Sequence, residues 1–324
     1  MKWTKRGLLF DPTRHTLPGG CTEFAQSPQA LVFDDVVRIY FSTRRRDHDG
    51  QYVSHVAFVD VDRNLEHVRE IAAETVITPG SLGCFDEHGI FPFNVVRHDA
   101  NVVGQHDAIY AFTCGWSRRV SVPVETAIGL AVSRDRGRTF QRTGPGPVMA
   151  ATSREPFLVG DPFVRVRDGR WHMWYIYGVR WMDSPGEPGP ARVYKIAYAS
   201  SVDGIVWERS GEPIISDAIG ADECQALPTV FECDGLWHMY FCYRYATDFR
   251  ANPARAYRLG YAWSRDGHRW IRDDQAGGID VSPEGWDSEM LCYPHVFWCH
   301  DQAYMLYNGN AFGRQGFGVA VLER

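Results

Sequence analysis

A glutamate stands five positions ahead of a proline in EFAQSP (23–28), EHGIFP (87–92), ECQALP (223–228) and EMLCYP (289–294). Carboxylates brought together from separate segments can divide the work of proton donor and of base or nucleophile, provided their surroundings push their pKa values apart. Whether Glu23, Glu87, Glu223 and Glu289 meet depends on whether the spacing is a true repeat. A further proline, Pro162 in REPFLVGDP, falls between the second and third copies, with Glu155 seven residues before it and Asp161 directly before it. Prolines at 28, 92, 162, 228 and 294 are then 64, 70, 66 and 66 residues apart. A fixed period of this size, filled with short strands, is the pattern of propeller blades.

Each period carries the same succession of apolar runs bounded by turn residues. After the proline comes a first strand, then a hairpin turn such as Asp168-Gly169 or Asp234-Gly235. A second strand follows (VRIYFSTR, WHMWYIYG, WHMYFCYR, AYMLYNGN), then a third (AIGLAVS, YKIAYAS, YRLGYAWS). The third strand runs into Ser-x-Asp and an aromatic residue, in SRDRGRTF, SVDGIVW and SRDGHRW. Those aspartates read as ties for a hairpin rather than as catalysts. The last repeat ends after its third strand, while WTKRGLLF at the start matches the fourth-strand pattern WERSGEPI, Trp3 and Gly7 standing where Trp207 and Gly211 do. The expected fold is all-β: residues 1–324 as one domain, a five-bladed propeller whose last blade is closed by the N-terminal strand, which removes the exposed edges of an open sheet.

In such a ring the strand that starts at each proline lines the central channel, and the glutamates ahead of it gather at one mouth. Two carboxylates about 6 Å apart repel by roughly 3 kcal/mol at an effective dielectric of about 20, so they cannot all be close, ionised and unpaired. Either some are protonated at neutral pH, or cations lie among them; the structural alternative is that each glutamate caps backbone N–H groups of a neighbouring blade. Counting back through the hairpin places Arg44, Gly178, Arg244 and Asn310 on second strands at this mouth, the two arginines set to pair with its carboxylates or with an anionic ligand. The connections from second to third strands open on the same side and are the long ones. They carry Trp116 and Trp181, whose faces suit a sugar ring, and arginines suited to carboxylate or phosphate. Glu87, Glu155 and Tyr293 complete the expected substrate-binding wall.

Composition narrows the class further. The chain is 44% hydrophobic, 14% aromatic and 23% charged, with no apolar run long enough for a membrane span and no secretory segment behind Met1, so a cytoplasmic protein is expected. Eight cysteines without CxxC pairs read as reduced thiols. A formal charge of −6 argues against nucleic acid as partner. His172 and His238 are repeat-equivalent in WHMW and WHMY and read as strand packing. His88 and His295 flank the mouth and are the kind of group that could help hold a channel cation, but three convergent ligands are not visible, and no cofactor is expected.

Over its whole length the chain resembles the five-bladed propeller glycosidases of glycoside hydrolase families 43 and 32, and more closely a glycosidase-like branch associated with bacterial glycan biosynthesis loci. GWDSEMLCYPHVF and YMLYNGNAFGRQGFGVAVL carry the resemblance to that branch. It implies a glycoside hydrolase-like enzyme with three acids on inner strands. GDPFV is similar to the families' Asp-Pro motif and nominates Asp161 to orient the sugar; DECQ is similar to a Glu-Cys element and nominates Glu223 as the acid. The first blade should add an aspartate near AQSP and has none, which leaves Glu23, Glu289 or Asp287 as the second carboxylate that hydrolysis requires. The alternatives are a transferase or lyase-like enzyme working on an anionic glycan, and a catalytically silent glycan-binding propeller.

Overall fold

The computed structural model describes residues 1–98, 108–184 and 189–323. The first blade consists of β2 (Glu23–Val32), β3 (Val37–Arg46), β4 (Tyr52–Val61) and β5 (Val68–Ile71), and the second of β6 (Ile90–Arg97), β7 (Ile109–Arg118), β8 (Val124–Ser133) and β9 (Gln141–Arg142). The third has β10 (Val159–Arg167), β11 (Arg170–Met182), β12 (Ala191–Ser201) and β13 (Glu208–Arg209); the fourth has β14 (Glu223–Cys233), β15 (Leu236–Tyr245), β16 (Arg258–Ser264) and β17 (Ile271–Arg272). In the fifth, β18 (Cys292–Cys299), β19 (Gln302–Asn308) and β20 (Phe317–Leu322) are completed by β1 (Trp3–Phe10), in the order β1-β20-β19-β18. The inner strands touch in the cyclic order β2, β6, β10, β14, β18 and back to β2, so the ring closes as the sequence predicts. The sequence RHDANVVGQHDA makes the first hairpin of the second blade longer than the others, and most of it, 99–107, lies outside the described residues.

The repeated proline marks a bulge in each inner strand. Pairing with the second strand breaks between Gln26 and Gln29, Ile90 and Phe93, Gly160 and Phe163, Ala226 and Thr229, and Cys292 and His295. In four blades the residue before the proline takes a positive φ: Ser27 (54°), Asp161 (49°), Leu227 (47°) and Tyr293 (58°). Side chains bearing a Cβ rarely adopt this conformation, and it turns the residue out of the ladder toward the channel. The amides freed in this way bond across to the next blade. Ser27 N–H donates to Asn308 Oδ1 (2.8 Å) and Leu227 N–H to Asp161 Oδ2 (3.3 Å).

One turn deeper, Asn94 joins three blades, donating to Gln29 Oε1 (2.9 Å) and accepting from Val164 N–H (3.0 Å). It is 1% exposed. Asn94→Ala leaves both partners unsatisfied in the interior and is expected to lower stability by about 1–3 kcal/mol, read from the midpoint of urea unfolding.

Between the sheets lie fully buried aromatics of the second strands, among them Tyr40, Phe112, Trp174, Tyr240 and Tyr307. His172 and His238 bond Tyr198 and Tyr261 hydroxyls in this layer (2.6 and 2.7 Å). The Ser-x-Asp turns are hairpin ties: Asp266 Oδ1 accepts from His268 and Arg269 N–H at 2.8 Å each, which holds its carboxyl down at about 2.

Candidate active site at the channel mouth

The acids that the period brings to one end do not meet as a free cluster. In four blades a buried carboxylate ahead of the inner strand is clasped by a basic residue of the same blade's fourth strand. Asp86 pairs with Arg142 (2.5 Å), Glu155 with Arg209 (2.7 Å), Glu223 with Arg272 (2.5 Å) and Asp287 with Lys5 (2.7 Å). Three of these carboxylates are further engaged. Glu223 Oε2 accepts from Ala218 and Ile219 N–H, and Oε1 from Gln225 Nε2 (2.9 Å); Glu155 accepts from the Tyr175 hydroxyl and Asp287 from that of Tyr307. Glu223 is 0% exposed and Glu155 1%. Their lone pairs are taken by the protein, and the arginine opposite is the cation that burial demands.

The first blade departs from this scheme. Its position has no clasped acid; Glu23 instead faces a cleft of about 340 Å³ with Arg44, Arg45, Tyr52 and the Gly19-Gly20 turn around it. Arg314 and the Tyr52 hydroxyl hold the Glu23 carboxylate. Two bulges in β2 shift the pairing from the simple hairpin count, so Arg44 stands opposite Glu23, and in the fourth blade Arg244 stands opposite Cys224.

Asp161 is the exception among the predicted acids. It takes a positive φ at the bulge, it is 8% exposed, and no salt bridge reaches it among the described residues. Leu227 N–H is its bonded partner, and the Arg192 guanidinium is the charge that it feels. Loss of hydration dominates, and the carboxyl is pushed up from 3.8 to about 7. A carboxyl so placed holds a proton near neutral pH and can release it, as a general acid must.

Two further guanidiniums, Arg244 and Arg44, have no salt bridge to a carboxylate among the described residues. Arg244 is 4% exposed and lies 3.6 Å over the Phe249 ring, its Nη atoms donating to the carbonyls of Tyr245 and Ala246 and to the Tyr194 hydroxyl (2.9 Å). The Tyr194 and Tyr257 hydroxyls are 2.7 Å apart, and the Tyr257 ring packs on Tyr293 at 5.7 Å. Arg44 sits over Phe24 and Phe91, with burial holding its guanidinium below the ordinary value and Tyr293 acting on it from the other side. The Nε atoms of Arg44 and Arg244 are enclosed and have no partner. Burial pushes Tyr257 and Tyr293 well above the usual phenol range, so neither supplies a counter-charge at neutral pH.

The other predicted residues lie further out. Glu289 is exposed at the rim, its amide bonded to Asn310 Oδ1 (2.8 Å), so Asn310 serves as a clamp on that turn. Glu87 accepts from Gly83 N–H (2.7 Å) and lies 3.5 Å from His88, whose ring stacks near Trp116 at 5.6 Å. Trp181 is half-buried at the end of β11, opposite Arg192. His295 is buried in the wall between Phe163 and Phe297, and desolvation pushes it down to about 3. Among the described residues no group of three or more His, Cys, Asp or Glu side chains could hold a metal ion. Nor is any helix among them long and apolar enough to cross a membrane. Tyr194 and Tyr257 carry no mark in the sequence that singles them out, although they open YKIAYAS and YRLGYAWS at equivalent positions.

The architecture defines a five-bladed propeller of the kind seen in solved glycoside hydrolases. It is similar to a structure described as "Glycoside hydrolase" (TM-score 0.70, 15% identity, 99% of this chain and 91% of the other). It is also similar to a thermostable family-43 glycoside hydrolase (TM-score 0.63, 13% identity, 95% and 91%). No family model matches the sequence. "Uncharacterized protein MT1551" of Mycobacterium tuberculosis (strain CDC 1551 / Oshkosh) is 36% identical over 330 residues, 100% of each chain, and this chain belongs to its family.

Proposed function

We propose that this protein is a glycan-processing enzyme of the glycoside hydrolase type, acting on an anionic sugar at the channel mouth with Asp161 as proton donor. The observation that carries the reading is the state of Asp161, a carboxyl near the axis that is protonated up to about pH 7 and is not committed to any ion pair among the described residues. Donation to the glycosidic oxygen lets the leaving sugar depart neutral, and Arg192 favours the carboxylate left behind. Glu23, the carboxylate that lines the mouth cleft, is the base for an attacking water or the nucleophile. The likeness to solved glycoside hydrolases supports this class of chemistry.

One observation favours a second reading. Glu23 is held by Arg314 and Tyr52, and Glu223 and Asp287 are clasped, so none of these three is free of a cationic partner to serve as the second carboxylate. An enzyme with one acid and several arginines suits transfer from an activated, anionic donor. A panel of aryl glycosides with and without an anionic group separates the two. Release of reducing sugar at least about tenfold faster from the anionic members, as expected for a charge-assisted contact, supports hydrolysis. Consumption of an activated donor only when an acceptor sugar is present supports transfer. Equal rates on neutral and anionic substrates would reject the anionic preference.

A further inference from the structure

The charges at the mouth do not balance. Glu23 is bonded to Arg314 and also stands opposite Arg44, which feels its charge, and Arg192 has Asp161 as the acid in its field. Arg44 and Arg244 have no salt bridge among the described residues, both have enclosed Nε atoms without a partner, and Arg244 is almost wholly removed from water. A guanidinium cannot shed its proton to escape such a site, and an uncompensated buried charge is strongly unfavourable. The two occupy matching places on β3 and β15, flanking the fifth blade, whose Tyr293 lies between them and contacts the surroundings of both. Two cations and a fork of N–H donors on each ask for a ligand group with two negative charges and several acceptor oxygens.

The geometry points to a phosphoryl group as that ligand, seated against Arg44 and Tyr293 with the Arg244 charge behind them. The inference rests on the reading that the mouth takes an anionic sugar, and it names the anion. A carboxylate supplies one charge and leaves the second guanidinium uncompensated. A phosphomonoester dianion neutralises both and offers enough oxygens for the Arg44 fork and the tyrosine hydroxyls. The phosphoryl group can arrive on the sugar or as the free ion.

Titration calorimetry on the whole protein with glucose 1-phosphate, inorganic phosphate and glucuronate decides the matter. Binding of glucose 1-phosphate at least about tenfold tighter than glucuronate, reduced about tenfold or more in Arg44→Gln, is the expected result. Inorganic phosphate bound as tightly as glucose 1-phosphate also supports the site and assigns the group to the free ion. Arg244→Lys keeps the charge and loses the fork, so it should weaken phosphate binding less than Arg44→Gln; if that variant fails to fold, the Arg44 result stands alone. Glucuronate bound as well as or better than the phosphate would overturn the inference while leaving the anionic-sugar reading in place. Absence of binding by all three anions, with neutral glycosides still turned over, would overturn it and the anionic preference but not the role of Asp161.

Discussion

Asp161→Asn is expected to lower turnover by at least about a hundredfold on a substrate with a poor leaving group, the usual scale for losing general acid catalysis. The fold should tolerate the change, because Asn can still accept the bond from Leu227 N–H. A substrate with a good leaving group needs little protonation and should recover much of the rate. The pH dependence follows from the direction of the shift. Since the proton leaves near pH 7, wild-type activity should fall as pH rises through about 7, and the variant should lack that limb.

The stability of the variant should move opposite to its turnover. The unfolded chain ionises this carboxyl near 4 while the folded protein keeps its proton to about 7. Between those values the folded state binds more protons, so whatever stability Asp161 contributes is present below pH 4 and is lost as pH rises to 7, by up to about 4 kcal/mol. Asp161→Asn removes that loss, and the variant should unfold later than wild type at pH 8 and no later at pH 4. Urea midpoints at the two pH values read this directly. A residue there only for structure would not give up turnover while gaining stability.

The second large effect belongs to the clasps. Glu223→Ala removes one of the two carboxylates on Arg272, leaving Asp274, and strips two backbone amides of their acceptor, at a cost of about 1–3 kcal/mol per stranded amide. The fraction that still folds should turn over substrate at near the wild-type rate. Large loss of kcat in a well-folded Glu223 variant would instead return Glu223 to the chemistry that its Glu-Cys sequence implies.

Those two residues show where the sequence could and could not be read. The proline period and the match of WTKRGLLF to WERSGEPI gave the ring and its closure, because each blade repeats one hydrogen-bonded pattern in one order. Asp161 was singled out too, but to orient the sugar rather than as the acid, since the burial that raises its carboxyl leaves no mark in the sequence. The fate of the glutamates was not legible, for two physical reasons. A bulge adds residues to one strand without any mark that counting can see, so Arg44 faces Glu23 and Arg244 faces Cys224 rather than the residues a plain hairpin would give. The clasp partners are also remote in sequence: Glu223 and Arg272 are 49 residues apart, and Asp287 and Lys5 are 282 apart. A signal for them does exist. Trp3-Thr4-Lys5, Phe140-Gln141-Arg142, Trp207-Glu208-Arg209 and Trp270-Ile271-Arg272 all read aromatic, any residue, basic, one in each clasped blade. Blade one lacks an acid to clasp, and the mouth cleft opens there.

An acid at Asp161 and an anion seat at Arg44 must share a single mouth for any of this chemistry to occur. A structure of the protein with a phosphorylated, sulfur-linked disaccharide that resists cleavage tests that arrangement most directly. The expected result is the linking sulfur within about 3–3.5 Å of an Asp161 oxygen and the phosphoryl oxygens on Arg44 and Tyr293. A ligand bound with its linkage against Glu223 or Asp287, or outside the mouth altogether, would contradict it.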